Sequence, residues 1–380
     1  MGRRGNNEGS IYQRESDGKW VGSVSVDYGL NGKRRRKTVY GKTRKEVSAK
    51  LKILLRDQQR GLPIIIERST VGEFLDKWLE NSVKPTVRPR TYASYSDMVR
   101  LHIAPALGRY QLTKLEPQQV QVFLGAKLDT GLSPRTVQYC HAILHRALGQ
   151  AYKWGLVPRN VASLVDPPRV TRPEVQPLTP DQARRFLASV KGDRLEGLFT
   201  ILLTLGLRRG EALGLKWEDV NLDKKTLVVR ASLQRIEGKL TLSETKTDRS
   251  HRTLHLPGLT VAALKAHKIR QLEDRLLAGN RWQDSGLVFA STVGTPLDPR
   301  NINRRFQKAL ERAGLDHIRL HDLRHSAASL LISQGVHPRA VMEALGHSQI
   351  SLTMNLYGHV YEQGEEEVAN SMDRALTGND

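Results

Sequence analysis

The chain has 380 residues, enough for two or three domains of roughly 150 residues each. Lys and Arg number 60 against 39 Asp and Glu, a formal charge of +21. No stretch approaches the roughly 18 unbroken apolar residues of a membrane span. A lone cysteine, Cys140, excludes an internal disulfide framework and a cysteine-rich zinc module. No apolar run follows the arginines of MGRRGNNEGS, so a reduced, intracellular protein is expected.

Such a charge balance suits a polyanion whose condensed counterions are released on binding. Residues 1–60 concentrate it, with 16 Lys/Arg against 6 Asp/Glu. A merely soluble basic protein and an anionic-lipid binder are the alternatives; with no amphipathic anchor helix accompanying the charge, nucleic acid is the favoured partner.

In chain order, Gly9 to Gln13, Trp20 to Val26 and Arg34 to Tyr40 read as three short strands, with turn residues from Asp27 to Gly32. Thr43 then caps a helix, Glu46 completes the box, and Val47, Leu51, Leu54 and Leu55 form its apolar stripe. A small sheet with Arg34, Arg35, Arg36 and Lys37 on one strand could lie in a DNA groove; a basic tail ordered only on DNA is the alternative. Residues 69–165 read as helical. Phe74, Leu75, Trp78 and Leu79 mark one helix, and Tyr95, Met98, Val99 and His102 a second. A third runs from Pro117 to Leu128, and Ser133-Pro134 opens a fourth that reaches Trp154. The arginines spread among them, Arg90 and Arg135 included, suit backbone phosphates, although any one of them also fits an ordinary solvated face.

Five prolines fall between Asp166 and Pro180, so residues 166–177 read as an extended, semi-rigid linker. Beyond it, residues 178–380 open with Thr179 capping a helix that has Pro180 at its first position. Helices to about Lys216 precede strand-like runs at Thr226 to Arg230, Lys239 to Leu242 and Arg252 to Leu256. A helix near 259–278 follows, and the remainder is mostly helical. The expected fold is therefore multidomain and mainly α with α+β parts: a three-stranded N-terminal module, a helical middle, and a mixed α+β third segment.

Three places carry chemistry. In Leu205-Gly206-Leu207-Arg208-Arg209-Gly210-Glu211 the carboxylate is one helical turn from Arg208, where it can orient the guanidinium fork toward an anion; a surface ion pair would look the same. In Leu320-His321-Asp322-Leu323-Arg324-His325 the apolar stripe of Leu323, Ala327, Leu330 and Leu331 marks a packed helix, with His321 and Arg324 together beside it. His321 and His325 also stand at metal-ligand spacing, but they lack the intervening Glu and a third ligand. Finally, Leu345-Gly346-His347 leads to Tyr357, and Lys246 lies on a polar turn between two strand-like runs.

In order and spacing, Arg208, Lys246, His321-x-x-Arg324, His347 and Tyr357 resemble the active-site set of the tyrosine recombinases, the phage-type integrases. The resemblance spans the chain: residues 1–60 are similar to an arm-type DNA-binding domain, 69–165 to a core-binding domain, and 178–380 to a catalytic domain with a C-terminal tail. One departure is Leu205, where Thr or Ser is commoner, which touches local packing and not the arginine. The resemblance implies a site-specific recombinase in which Tyr357 forms a 3′-phosphotyrosine and strands are exchanged without ATP, metal or cofactor. It implies that Arg208 and Arg324 hold the phosphate, that Lys246 protonates the leaving oxygen, and that His321 and His347 assist, with Glu211 orienting Arg208. Double-stranded attachment-site DNA, a homo-tetramer on synapsed DNA, and an excision factor or host DNA-bending protein are the implied partners. The expected location is the cytoplasm, at the nucleoid, with no membrane association. The rival readings are relaxation of DNA by a type IB topoisomerase and a non-catalytic repressor descended from an integrase. The acidic stretch before Val368, Met372 and Leu376 reads as a helical tail that packs either on a neighbouring subunit or on its own domain.

Overall fold

A computed structural model describes residues 9–28, 34–59, 69–171, 176–236, 238–244 and 251–346. The chain divides into two compact units, Met1–Arg172 and Pro173–Asp380.

The first unit begins with an antiparallel sheet of β1 (Ser10–Gln13), β2 (Trp20–Tyr28) and β3 (Arg34–Gly41), in that order. Ser10 pairs with Ser23 and Trp20 with Gly41, and a register shift interrupts β2–β3 between Ser25 and Asp27. Helix α1 (Arg44–Gln59) packs Val47 and Leu51, both buried, against this sheet. The approach is close because β2 is bare at Gly22: a Cβ there would stand 2.7 Å from Val47 Cγ1. Thr43 Oγ1 accepts from the Glu46 amide at 3.2 Å, while the Glu46 carboxylate reaches the Lys42 amide at 2.9 Å instead of returning to Thr43. The expected strands and cap are present, so the folded alternative holds for these residues.

The helical part starts with α2 (Val71–Trp78), held by a reciprocal box between Thr70 and Glu73, and widens into a π-turn over Leu79–Val83. Helix α3 (Pro89–Met98) widens likewise over Val99–Ile103 before α4 (Ala104–Leu107). Helices α5 (Pro117–Asp129) and α6 (Pro134–Lys153) complete the bundle, and Ser133 caps α6 by accepting from the Thr136 amide. Their shared core contains Phe74, Trp78, Ile103, Leu124, Ile143, Leu144 and Leu148. Cys140 is fully buried in the same core, and burial raises its thiol pKa, which keeps it an unreactive packing group.

The second unit is built around α8 (Glu196–Thr204), whose residues from Gly197 to Leu203 are all buried. Before it stands α7 (Pro180–Ser189), capped by Thr179; after it comes α9 (Arg209–Leu213). Strands β4 (Val220–Asn221), β5 (Thr226–Val229) and β8 (Arg252–His255) form one antiparallel sheet, whereas β6 (Ala231–Ile236) and β7 (Lys239–Glu244) form a separate hairpin. Helices α10 (Gly258–Ala278), α11 (Pro299–Arg312), α12 (Asp322–Ser333) and α13 (Pro338–Leu345) follow. Phe186, Phe199 and Phe306 join α7, α8 and α11 with ring centroids 5.6–5.9 Å apart. A smaller cluster of Ala328, Ile332, Val341 and Leu345 locks α12 to α13. Leu178 also ties the start of this unit to α12, its amide donating to the buried Ser326 hydroxyl at 2.9 Å. Among the described residues no helix is long and apolar enough to cross a membrane.

The candidate active site

The site is assembled around a tight turn. Helix α8 ends at Thr204 with Leu205 as its cap, and Gly206 follows with φ +58, a conformation that disfavours side chains. The turn leads to Leu207, buried in the core, and to Arg208, whose extended backbone (φ −66, ψ 143) caps α9. Glu211, in the first turn of α9, accepts from the Arg208 amide through Oε2 at 3.1 Å and from Arg208 Nη1 through Oε1 at 2.7 Å. The i,i+3 pair expected from sequence therefore forms, and with Glu211 only 4% exposed the fork has little freedom.

Glu211 has a second cationic partner that sequence reasoning did not single out. Arg252, the first residue of β8, donates from Nη2 to Glu211 Oε2 at 2.9 Å. Burial alone would raise the Glu211 pKa, but Arg252 and then Arg208 outweigh it, and the carboxyl is held below its ordinary value. A signal was present in the sequence: in Arg252-Thr253-Leu254-His255-Leu256 the two-residue strand period puts Arg252 on the face of two core leucines. A charge on an apolar face requires a partner.

The C-terminal end of α13 supplies the other half of the site. A helix end leaves its last carbonyls without intrahelical donors. Here Gly346, left-handed at φ 68, returns its amide to the Glu343 and Met342 carbonyls. The next three carbonyls each receive a different guanidinium: Ala344 from Arg252 Nε at 3.0 Å, Leu345 from Arg324 Nη2 at 2.7 Å, and Gly346 from Arg208 Nη2 at 3.0 Å. Cations at a helix C-terminus also complement its dipole. Arg324 spans the two halves, because its Nη1 donates to the Gly206 carbonyl at 2.8 Å. The helical wheel put Arg324 beside the apolar stripe; in the structure it is 2% exposed and packed within the fold.

His321 stands at the N-terminus of α12 with an exposed edge, its ring 5.2 Å from that of His325. Loss of hydration, then the neighbouring His325 and Arg324, lowers its pKa to about 4, and Arg208 acts in the same direction. His321 is thus a neutral imidazole at pH 7 within electrostatic reach of both arginines. Asp322, the next residue, is paired with Arg319 at 2.8 Å. The described residues contain no group of three His, Cys, Asp or Glu able to hold a metal ion.

Lys246, His347 and Tyr357 lie outside the described residues, as does the C-terminal tail. Of the basic positions outside this site, Arg36 is exposed and Lys37 half-buried on β3, where the side chains of Arg34 and Arg35 are not described. Arg90 and Arg135 are exposed at the starts of α3 and α6, and Arg135 donates to Gln138 at 2.7 Å. They belong to the other unit and are not part of this cluster.

Residues 176–364 match the phage integrase family, and residues 70–128 match the phage integrase N-terminal SAM-like domain. An integrase from Streptomyces ambofaciens is 33% identical over 93% of each chain. A relative named tyrosine recombinase XerC-like, from Caldanaerobacter subterraneus, is 30% identical over 89% of this chain and 91% of its own length. Among solved structures, the Tn1549 transposon integrase in complex with transposon right end DNA is similar with a TM-score of 0.66 at 21% identity, covering 81% of this chain and 99% of that one. A lambda integrase tetramer bound to a Holliday junction gives a TM-score of 0.57 at 17% identity, over 93% and 96% of the respective chains. With these matches spanning both units, the chain belongs to the phage integrase family, the tyrosine recombinases.

Proposed function

We propose that the protein is a site-specific DNA recombinase whose nucleophile is Tyr357 and whose phosphate is held by Arg208 and Arg324. One observation carries the reading: two guanidiniums from segments far apart in sequence are fixed on adjacent carbonyls, Leu345 and Gly346, with the neutral His321 beside them. Fixed positive charge of this kind is what a phosphodiester needs as negative charge builds on its non-bridging oxygens. Tyr357 Oη attacks phosphorus, the bond to the 5′-oxygen breaks, and a 3′-phosphotyrosine forms. Lys246 gives a proton to the departing 5′-oxygen, which otherwise leaves as a poor alkoxide. His321, neutral at pH 7, and His347 add hydrogen bonds at the reacting phosphate and together help manage the tyrosine proton. The 5′-hydroxyl of a partner strand then attacks the phosphotyrosine and releases Tyr357. Bond energy is conserved in the covalent linkage, so strand exchange needs no nucleotide hydrolysis.

In the same reading, residues 1–60 bind arm-type DNA through Arg34, Arg35, Arg36 and Lys37, and residues 69–165 bind the core site, Arg90 and Arg135 contributing phosphate contacts. The linker over 166–177 joins them to a catalytic domain over 178–380. Four copies act on two synapsed duplexes in the cytoplasm, at the nucleoid, with an excision factor or DNA-bending protein setting direction. Support comes from the charge of +21 and from similarity to the lambda integrase tetramer on a Holliday junction. The test incubates the protein with two plasmids bearing the junction sequences of the element that encodes it. Recombinant plasmid is expected; relaxation of supercoils in plasmids without those sequences, and no recombinant, would point to topoisomerase action instead.

A further inference from the structure

We propose that Arg252 is a positioning residue for strand cleavage, holding Arg208 through Glu211 and holding the end of α13 through the Ala344 carbonyl. This rests on the reading of Arg208 as a phosphate clamp. Glu211 has two oxygens, and each is used: Oε1 binds Arg208 Nη1, while Oε2 takes both the Arg208 amide and Arg252 Nη2. Arg252 therefore neutralises the buried carboxylate through Oε2, the oxygen opposite the one that the Arg208 guanidinium binds, and fixes the plane in which it presents Oε1. The same guanidinium donates from Nε to Ala344, two residues before the Gly346 carbonyl that Arg208 binds. Both contacts that define the Arg208 fork thus lead back to one side chain.

The placement is rigid. The Arg252 side chain is 8% exposed, and its backbone is fixed opposite Val229 in the β5–β8 pair. The plane of the guanidinium lies against bare backbone at Gly346, where a Cβ would stand 3.0 Å from Nη1 and 3.2 Å from Cζ. Lysine cannot reproduce this, because an ammonium is a point charge and cannot serve the Glu211 carboxylate and the Ala344 carbonyl with one planar fork. Beyond Gly346 the chain passes directly into the sequence that carries His347 and Tyr357.

The test compares wild type, Arg252→Lys, Arg208→Ala and the double variant on a nicked duplex bearing the element's junction sequence. Protein is saturating, and the first-order rate of covalent adduct formation is followed. That rate constant belongs to the bound complex and is independent of the fraction of protein that folds, so loss of stability lowers amplitude and leaves the rate constant unchanged. Arg252→Lys is expected to bind DNA as wild type does and to cleave about a hundredfold more slowly, the scale of a misplaced catalytic group. The double variant is expected to be no slower than Arg208→Ala alone. Wild-type cleavage rate in Arg252→Lys, or losses that multiply in the double variant, would overturn the proposal. If Arg208→Ala cleaves normally while Arg252→Lys is slow, the assignment of Arg208 fails, and with it the route proposed for Arg252. If Arg208→Ala is slow and Arg252→Lys is normal, only the proposal for Arg252 fails.

Discussion

Gly206→Ala tests how tightly the two halves of the site are pressed together. The added methyl would start 2.3 Å from Leu345 Cδ2 and 3.3 Å from Ala327 Cβ, with φ at +58. Holding alanine in the left-handed region costs about 1–2 kcal/mol. Forcing Leu345 out of its packed rotamer costs about 1–3 kcal/mol, as overpacking does elsewhere. Against this, alanine restricts the unfolded chain and returns about 0.4–1 kcal/mol. The net expectation is a loss of about 1–5 kcal/mol in the unfolding of the second unit, measured by urea denaturation followed through its tryptophans. Function is expected to suffer beyond stability, because the Gly206 and Leu345 carbonyls both hold Arg324, at 2.8 and 2.7 Å. At a temperature where the variant is folded, adduct formation on DNA is expected to slow while binding persists. A stability change within about 0.5 kcal/mol, the range of an ordinary surface substitution, would refute the close packing of Gly206 on Leu345.

Two further outcomes follow from the chemistry. Lys246→Ala is expected to lose about 10²–10⁴-fold in cleavage rate, the usual contribution of a general acid, and to regain most of it on DNA with a 5′-bridging sulfur, a leaving group that needs no proton. Absence of rescue would remove Lys246 from that role. Acidification is expected to destabilise the second unit. Loss of hydration, then His325 and Arg324, holds the His321 pKa at about 4 against an ordinary 6.5, and loss of hydration also lowers that of His325. The unfolded chain then takes up protons that the folded chain refuses, so stability is full above pH 6.5 and falls toward pH 4. Denaturant midpoints measured across this window check the sign, and His321→Asn is expected to flatten the slope.

What could be read from the sequence was mostly what is local. Thr43, Ser133-Pro134 and Thr179-Pro180 announced helix starts because a cap needs only residues within one turn. Arg208 and Glu211 were legible for the same reason. The hairpin partner β6 was missed because Ala231-Ser232-Leu233-Gln234-Arg235-Ile236 buries only Leu233 and shows little alternation of burial. The π-turns at Leu79–Val83 and Val99–Ile103 escaped because apolar periodicity does not separate them from α-helix. Arg252 was hidden by distance: its partners Glu211 and Ala344 are 41 and 92 residues away, and no local pattern names them. The contact between Arg324 and the Gly206 carbonyl, across 118 residues, was beyond local reading in the same way.

The central claim is that Tyr357 becomes covalently joined to DNA. Nicked duplex from the element's own junction, which traps the intermediate, is incubated with wild type and with Tyr357→Phe. Products are resolved in SDS, and the adduct is digested to find the peptide that carries the nucleotide. The account predicts an adduct with wild type only, on the peptide containing Tyr357, and equal DNA binding by both proteins. An adduct that persists with Tyr357→Phe, or that maps to another residue, would contradict it.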